Sequence, residues 1–249
     1  MNSKREKPEP GAYIEGIATD KFDLADPGRF LRRYAPAIRG YFASLMRNRC
    51  DAEDAAQDFF LRIMRKGFPR YSGGRGRFRD YLKTTIRNAA RSYMKRTGRP
   101  PSNAYIVAAL ASAPIADQVL DQEFIVHWRW CLLKRAWAAL RKHQGSSSGN
   151  LFHTVLQLEA KYPEEDSAQL AARASALVGY PLQVATYRKQ VSRARRLLAK
   201  LLIKEVRLTL HQPSDDELDT ELMDLGVWMW IEKWRESECE KDSRADDRE

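Results

Sequence analysis

Cysteine is scarce in this chain, and the little there is lies far apart. Cys50, Cys131 and Cys239 are the three cysteines in 249 residues, too few and too scattered for a disulfide framework or a CxxC zinc site. His127 and Cys131, a helical turn apart in HWRWC, form the nearest ligand-type pair. Zinc sites usually draw on three or four ligands, so this pair reads as helix residues packing beside Trp128. No metal and no cofactor is expected. Long apolar runs are missing too. The run LGVWMWI at 225–231 falls far short of the roughly twenty residues of a membrane span. The opening MNSKREKPEPG carries charge but lacks the apolar core of a signal peptide. A cytoplasmic protein without a membrane segment is the expectation. Acid is the last scarcity: from Arg62 to Arg99, Asp80 stands alone against thirteen Lys or Arg.

Charge is abundant elsewhere, and it is unevenly placed. The net charge is +10 and the pI about 9.6. Residues 213–249 hold fourteen acids and five bases, a balance of −9, so residues 1–212 carry +19. A body this basic favours a polyanionic partner. Its acidic tail can compete for the same basic faces, and a regulatory tail is one expectation. The other is plainer: Leu218 to Trp230 packs on the C-terminal domain, and the last fifteen residues are a solvated acidic tail.

The apolar spacing is helical throughout and predicts an all-α chain of two small domains joined by a linker. Residues 1–25 are polar and rich in Pro and Gly, and no fixed structure is expected of them. In 26–97, an Asp26-Pro27 start precedes Phe30, Tyr34, Ile38, Tyr41 and Leu45 at helical spacing, with Pro36 inside. A second helix is read from Asp51 as N-cap, with acids Asp51, Glu53, Asp54 and Asp58 in its first turns. Pro69, Gly73, Gly74 and Gly76 then make a basic loop. It lacks the Lys-Ser/Thr and the preceding strand of a P-loop. A third helix, 78–96, carries an apolar stripe (Phe78, Leu82, Ile86, Tyr93) and a basic one (Arg79, Lys83, Arg87, Arg91, Lys95). Basic residues interleaved with aromatics point towards phosphate contact.

DAEDAAQDFFLRI followed by FRDYLKTTIRNAARSYMKR resembles the promoter-melting domain of bacterial sigma factors of the sigma-70 family, in their extracytoplasmic-function group. Asp51, Glu53, Asp54, Gln57, Asp58 and Phe60 match the acidic motif of that family. Phe78, Arg79, Tyr81, Leu82, Arg87, Asn88 and Arg96 match the basic one.

Residues 98–120, with Pro100, Pro101 and Pro114, read as the linker, and a long helix is expected over about 121–143. Within 121–211, Asp166 with Gln169 marks a capping box. Two helices follow, joined by a Gly-containing turn, and the second is richly basic, as in a helix-turn-helix. TYRKQVSRARRLL is similar to the sigma-factor recognition helix at Thr186, Arg188, Lys189, Gln190, Ser192, Arg193, Ala194, Arg195 and Leu198. The connection ALVGYPLQ departs from the family: it is longer, and Pro181 stands where Gly is common. Residues 212–249 form the acidic extension, opening on an S-x-x-E capping box at Ser214 and an amphipathic helix.

The resemblance implies a monomeric, non-enzymatic specificity subunit that binds the clamp of RNA polymerase core. Asp51, Glu53, Asp54, Gln57, Asp58 and Phe60 would dock there. Arg75, Arg77, Phe78, Arg79, Tyr81, Lys83, Arg87, Asn88, Arg91, Lys95 and Arg96 would hold the downstream element of promoter DNA as it melts. The loop from Tyr71 to Tyr81 would capture an unstacked base. Gln183, Thr186, Tyr187, Arg188, Lys189, Gln190, Arg193, Arg195 and Arg196 would hold the double-stranded upstream element. An anti-sigma protein is the further partner the resemblance allows. Two rival readings are a stand-alone helix-turn-helix regulator and a metal-dependent nuclease using Asp51, Glu53, Asp54 and Asp58. The nuclease is disfavoured because these acids share one helix and no second acidic cluster lies nearby.

Overall fold

The computed structural model describes residues 26–68, 77–98, 114–147, 149–210 and 213–233, with side chains described from residue 118 onward in the fourth helix. Every element among them is a helix: α1 (Pro27–Leu45), α2 (Arg49–Lys66), α3 (Phe78–Thr97), α4 (Pro114–Ser146), α5 (Phe152–Lys161), α6 (Ser167–Val178), α7 (Val184–Arg207) and α8 (Asp215–Asp224). The all-α class follows from the 3.6-residue apolar period. The helix resumes at residues 228–233.

α1, α2 and α3 pack around one apolar centre. Asp26 accepts a hydrogen bond from the Arg29 backbone N–H, and Pro27 occupies a first-turn position that lacks an intrahelical donor partner anyway. Phe30, Tyr34, Ile38, Tyr41 and Leu45 then fall on one buried face. They meet Ala52, Phe59 and Ile63 of α2 and Leu82, Ile86 and Ala90 of α3. Burying an aromatic or large aliphatic side chain contributes about 1.5–3 kcal/mol, so this face alone accounts for the docking of α1.

The 33-residue α4 lies against both α1 and α7. It starts at Pro114 and ends at Ser146, so it extends beyond the expected 121–143 at both ends. Trp128 stacks on Tyr34 with ring centroids 4.7 Å apart, and Phe124 packs edge-on against Tyr41. Gly40 marks the crossing of α1 with α4: a Cβ there would meet the His127 ring at 2.4 Å. Charge ties the same helices together. Glu205 of α7 accepts from Arg33 of α1 at 2.6 Å and from Arg135 of α4 at 2.8 Å. α5 and α6 complete the C-terminal group against α7.

Candidate nucleic-acid interface

α2 begins two residues before Asp51, and its cap is Asn48. The Asn48 side chain accepts from the Asp51 backbone N–H at 2.8 Å and donates to the Asp51 carboxylate at 2.7 Å. Asp51 is therefore not the cap, and at 4 % exposure it is not part of an outward docking face. Burial here is affordable because the carboxylate is hydrogen-bonded. The Tyr93 hydroxyl lies 3.5 Å from both Asp51 and Asp54.

The outward face of α2 consists of Asp54, Gln57, Asp58 and Leu61, at i, i+3, i+4 and i+7, with Met64 following. Leu61 and Met64 are 54 % and 55 % exposed. This pair lies outside the expected docking set, and its signal in the sequence is two large apolar residues off the buried Ala55–Phe59–Ile63 line. Glu53 is half-buried and pairs with Arg39 at 3.5 Å, and the Arg39 guanidinium lies over the half-buried Phe60 ring.

The basic helix α3 divides into a covered half and an exposed half. Phe78, expected among the residues that hold the melting downstream element, is buried edge-on between Phe30 and Phe68. Tyr81 is half-buried at the margin of that cluster. Arg79 is not a surface cation either. It is 5 % exposed, 3.1 Å from Asp224 and 3.2 Å from Glu221. Arg77 reaches the same two acids of α8. Lys83 and Arg87 both bind Asp121 of α4, at 2.8 and 2.5 Å, and Arg87 also donates to the Tyr41 hydroxyl. Arg75 and Tyr71 lie outside the described residues. Beyond Arg87 the helix is open: Asn88, Arg91, Lys95 and Arg96 are exposed. Arg91 donates to Asn88, and Arg96 forms an ion pair with Asp58 of α2, so the two faces touch.

The acids that cover α3 differ in their own protonation. Burial pushes the Glu221 carboxyl up, and Arg79 and Arg77 only partly offset that. Burial also raises Asp224, but the hydrogen bond and charge of Arg77, with Arg79, carry it below the usual carboxylate range. A groove of about 700 Å³ runs along this contact, lined by Arg79, Lys83, Asp121 and Asp224.

The two helices expected to form a helix-turn-helix are α6 and α7. Asp166 and Gln169 form the expected capping box, and α6 ends at Gly179 with φ 79°, a left-handed position that suits glycine. The lengthened turn is closed by the Leu182 backbone N–H donating to the Ser175 hydroxyl at 2.8 Å. Gln183 at the N-cap and Thr186, Arg188, Lys189 and Arg193 within α7 are exposed. Tyr187 is not among them. It is 1 % exposed, its hydroxyl faces the Val155 carbonyl, and burial pushes its phenol up to about 12. Tyr187, Val191, Ala194 and Leu198 are spaced i, i+4, i+7 and i+11, so the apolar period itself placed this ring inside. Gln190 also turns inward, accepting from Leu151 N–H and donating to the Gly149 carbonyl. Arg195 pairs with Glu159 at 2.6 Å, and Arg196 is half-buried.

Among the described residues, no three His, Cys, Asp or Glu side chains converge as metal ligands would. No helix among them is long and apolar enough to cross a membrane. Residues 30–100, from the first turn of α1 to just past α3, match the family model described as Sigma-70 region 2. No curated protein and no solved structure matches the chain.

Proposed function

We propose that the chain, whose residues 30–100 match the family model described as Sigma-70 region 2, is a sigma-70 family sigma factor of the extracytoplasmic-function group, a dissociable cytoplasmic subunit that directs core polymerase to specific promoters. The observation that carries this reading is the match to region 2, which coincides with α1–α3 and their two outward faces. A helix-turn-helix follows in the same chain.

The work is division of contact, without covalent chemistry. The α2 row of Asp54, Gln57 and Asp58 steers the chain onto the polymerase clamp, and Phe60, Leu61 and Met64 supply apolar affinity there. On α3, Arg91, Lys95 and Arg96 hold phosphates of the downstream element, and Asn88 pairs with a base edge. Strand opening needs a captured base and a held backbone. Base–aromatic stacking contributes roughly 1–3 kcal/mol per base, similar to the cost of unstacking a step. On α7, Gln183, Thr186, Arg188 and Lys189 read the upstream element, with Arg193 on phosphate.

The deciding experiment is capture of core polymerase by the full chain, followed by run-off transcription from genomic fragments. Core capture with promoter-specific transcripts is the expected result. A chain that binds duplex DNA unaided and fails to capture core is a helix-turn-helix regulator, and the proposal falls.

A further inference from the structure

The acidic helix α8 packs on α7 and reaches with its side chains the start of α3, the helix assigned above to promoter DNA. Leu218, Leu222 and Leu225 anchor it in the core, a Ser214–Glu217 capping box starts it, and Arg129 donates to the Leu225 carbonyl. From that anchored helix Glu221 (0 % exposed) and Asp224 reach Arg77 and Arg79, 142 to 147 residues away in sequence. Asp121 of α4 holds Lys83 and Arg87, the next two cations along α3. The first half of the basic stripe is therefore neutralised from within, and the second half is exposed.

This contact is poorly suited to be mere glue. A buried ion pair rarely stabilises more than apolar side chains of the same volume would, because desolvation offsets the attraction. Here the pairing is also incomplete. Arg79 Nη1 has no hydrogen-bond partner among the described residues, and Glu221 Oε1 near Arg79 Nε lacks hydrogen-bond alignment. Burial drives the Glu221 carboxyl towards its neutral form. The groove beside Arg79 and Lys83 leaves one flank of the contact open. These arginines carry the donor geometry that phosphate takes. We propose that α8 is a self-inhibitory clasp, in which Glu221 and Asp224 occupy Arg77 and Arg79 in place of nucleic-acid phosphates and are displaced when DNA binds α3. The inference rests on the assignment of α3 to DNA and not on polymerase binding.

The test uses full-length protein and a fluorescent random-sequence duplex with a single-stranded tail, read by anisotropy across a salt series. Each additional phosphate contact steepens the plot of log K against log salt by about 0.9. The E221K/D224K variant, with Arg77 and Arg79 released, should have a slope steeper by about two than D216K/E232K, which makes the same charge change at positions away from these arginines. A chain ending at residue 212 should steepen similarly relative to wild type. Equal slopes in folded E221K/D224K and D216K/E232K overturn the clasp. Should E221K/D224K not fold, the shortened chain decides, and if that chain also fails to fold, α8 is a core element and the clasp is rejected. Core capture is scored separately: a steeper slope without it keeps the clasp and removes the polymerase reading, and the reverse removes the clasp alone.

Discussion

Residues on α7 show how closely a contact residue and a core residue can resemble each other in sequence. Tyr187 and Arg188 are adjacent in the recognition helix, yet one is 1 % exposed and the other lies on the outward side. Helix geometry separates them by about 100°. Tyr187→Ala should therefore lower stability by about 3 kcal/mol, in the range of core aromatic truncations. Tyr187→Phe should cost under about 1 kcal/mol, since the hydroxyl contact is a long 3.4 Å. Arg188→Ala should leave the urea midpoint nearly unchanged and weaken DNA binding instead. A Tyr187→Ala protein with wild-type stability would show that the ring is not core. Phe78 and Arg79 were misplaced for related reasons. Phe78 lies on the same i, i+4 line as Leu82 and Ile86, which marked it as interior. Nothing local marks Arg79 as buried, because its partners lie 142 and 145 residues further on.

Elements were legible where a local motif specifies them. The boxes at Asp166–Gln169 and Ser214–Glu217 start α6 and α8 as their spacing requires. α2 misled because Asn48 and Asp51 are both capping types three residues apart, and the two are bonded to each other. Asn48→Ala should destabilise the protein by about 1 kcal/mol or somewhat more, because it also removes the Asn48 hydrogen bond to the buried Asp51 carboxylate. Asp54→Ala, on the solvent side, should change the thermal midpoint little. Equal effects from the two would mean that Asn48 does not hold the helix start. α4 began earlier than expected since Pro114 is compatible with a first helical turn, although composition alone reads as linker.

At the scale of the whole molecule, a +19 body and a −9 tail left two courses open, a tail drawn to the basic faces and a packed helix with a solvated end. Which cations it would find was not legible, because only the folded core brings α8 to α3. The acids make this contact pH-dependent in two opposing ways. Glu221 titrates above its ordinary value, so folding takes up a proton there and the folded state gains stability as pH falls through that raised pKa. The neutral carboxyl then gives up its ion pairs with Arg77 and Arg79. Asp224 titrates below its ordinary value, so its contribution is complete above the unfolded pKa and is lost as pH falls through the depressed one. Glu221→Gln should thus gain stability relative to wild type near neutral pH, and the gain should shrink towards the ordinary carboxylate range. A difference in melting temperature that does not vary with pH would show that Glu221 is not the group responsible. The seam between α1 and α4 carries a different consequence. It closes where Gly40 has nothing to present, with the His127 ring lying over the gap. A single methyl at position 40 is a wedge: it must displace that imidazole or part the two helices. One carbon atom, remote from both outward faces, can therefore loosen the join between the two halves of the chain.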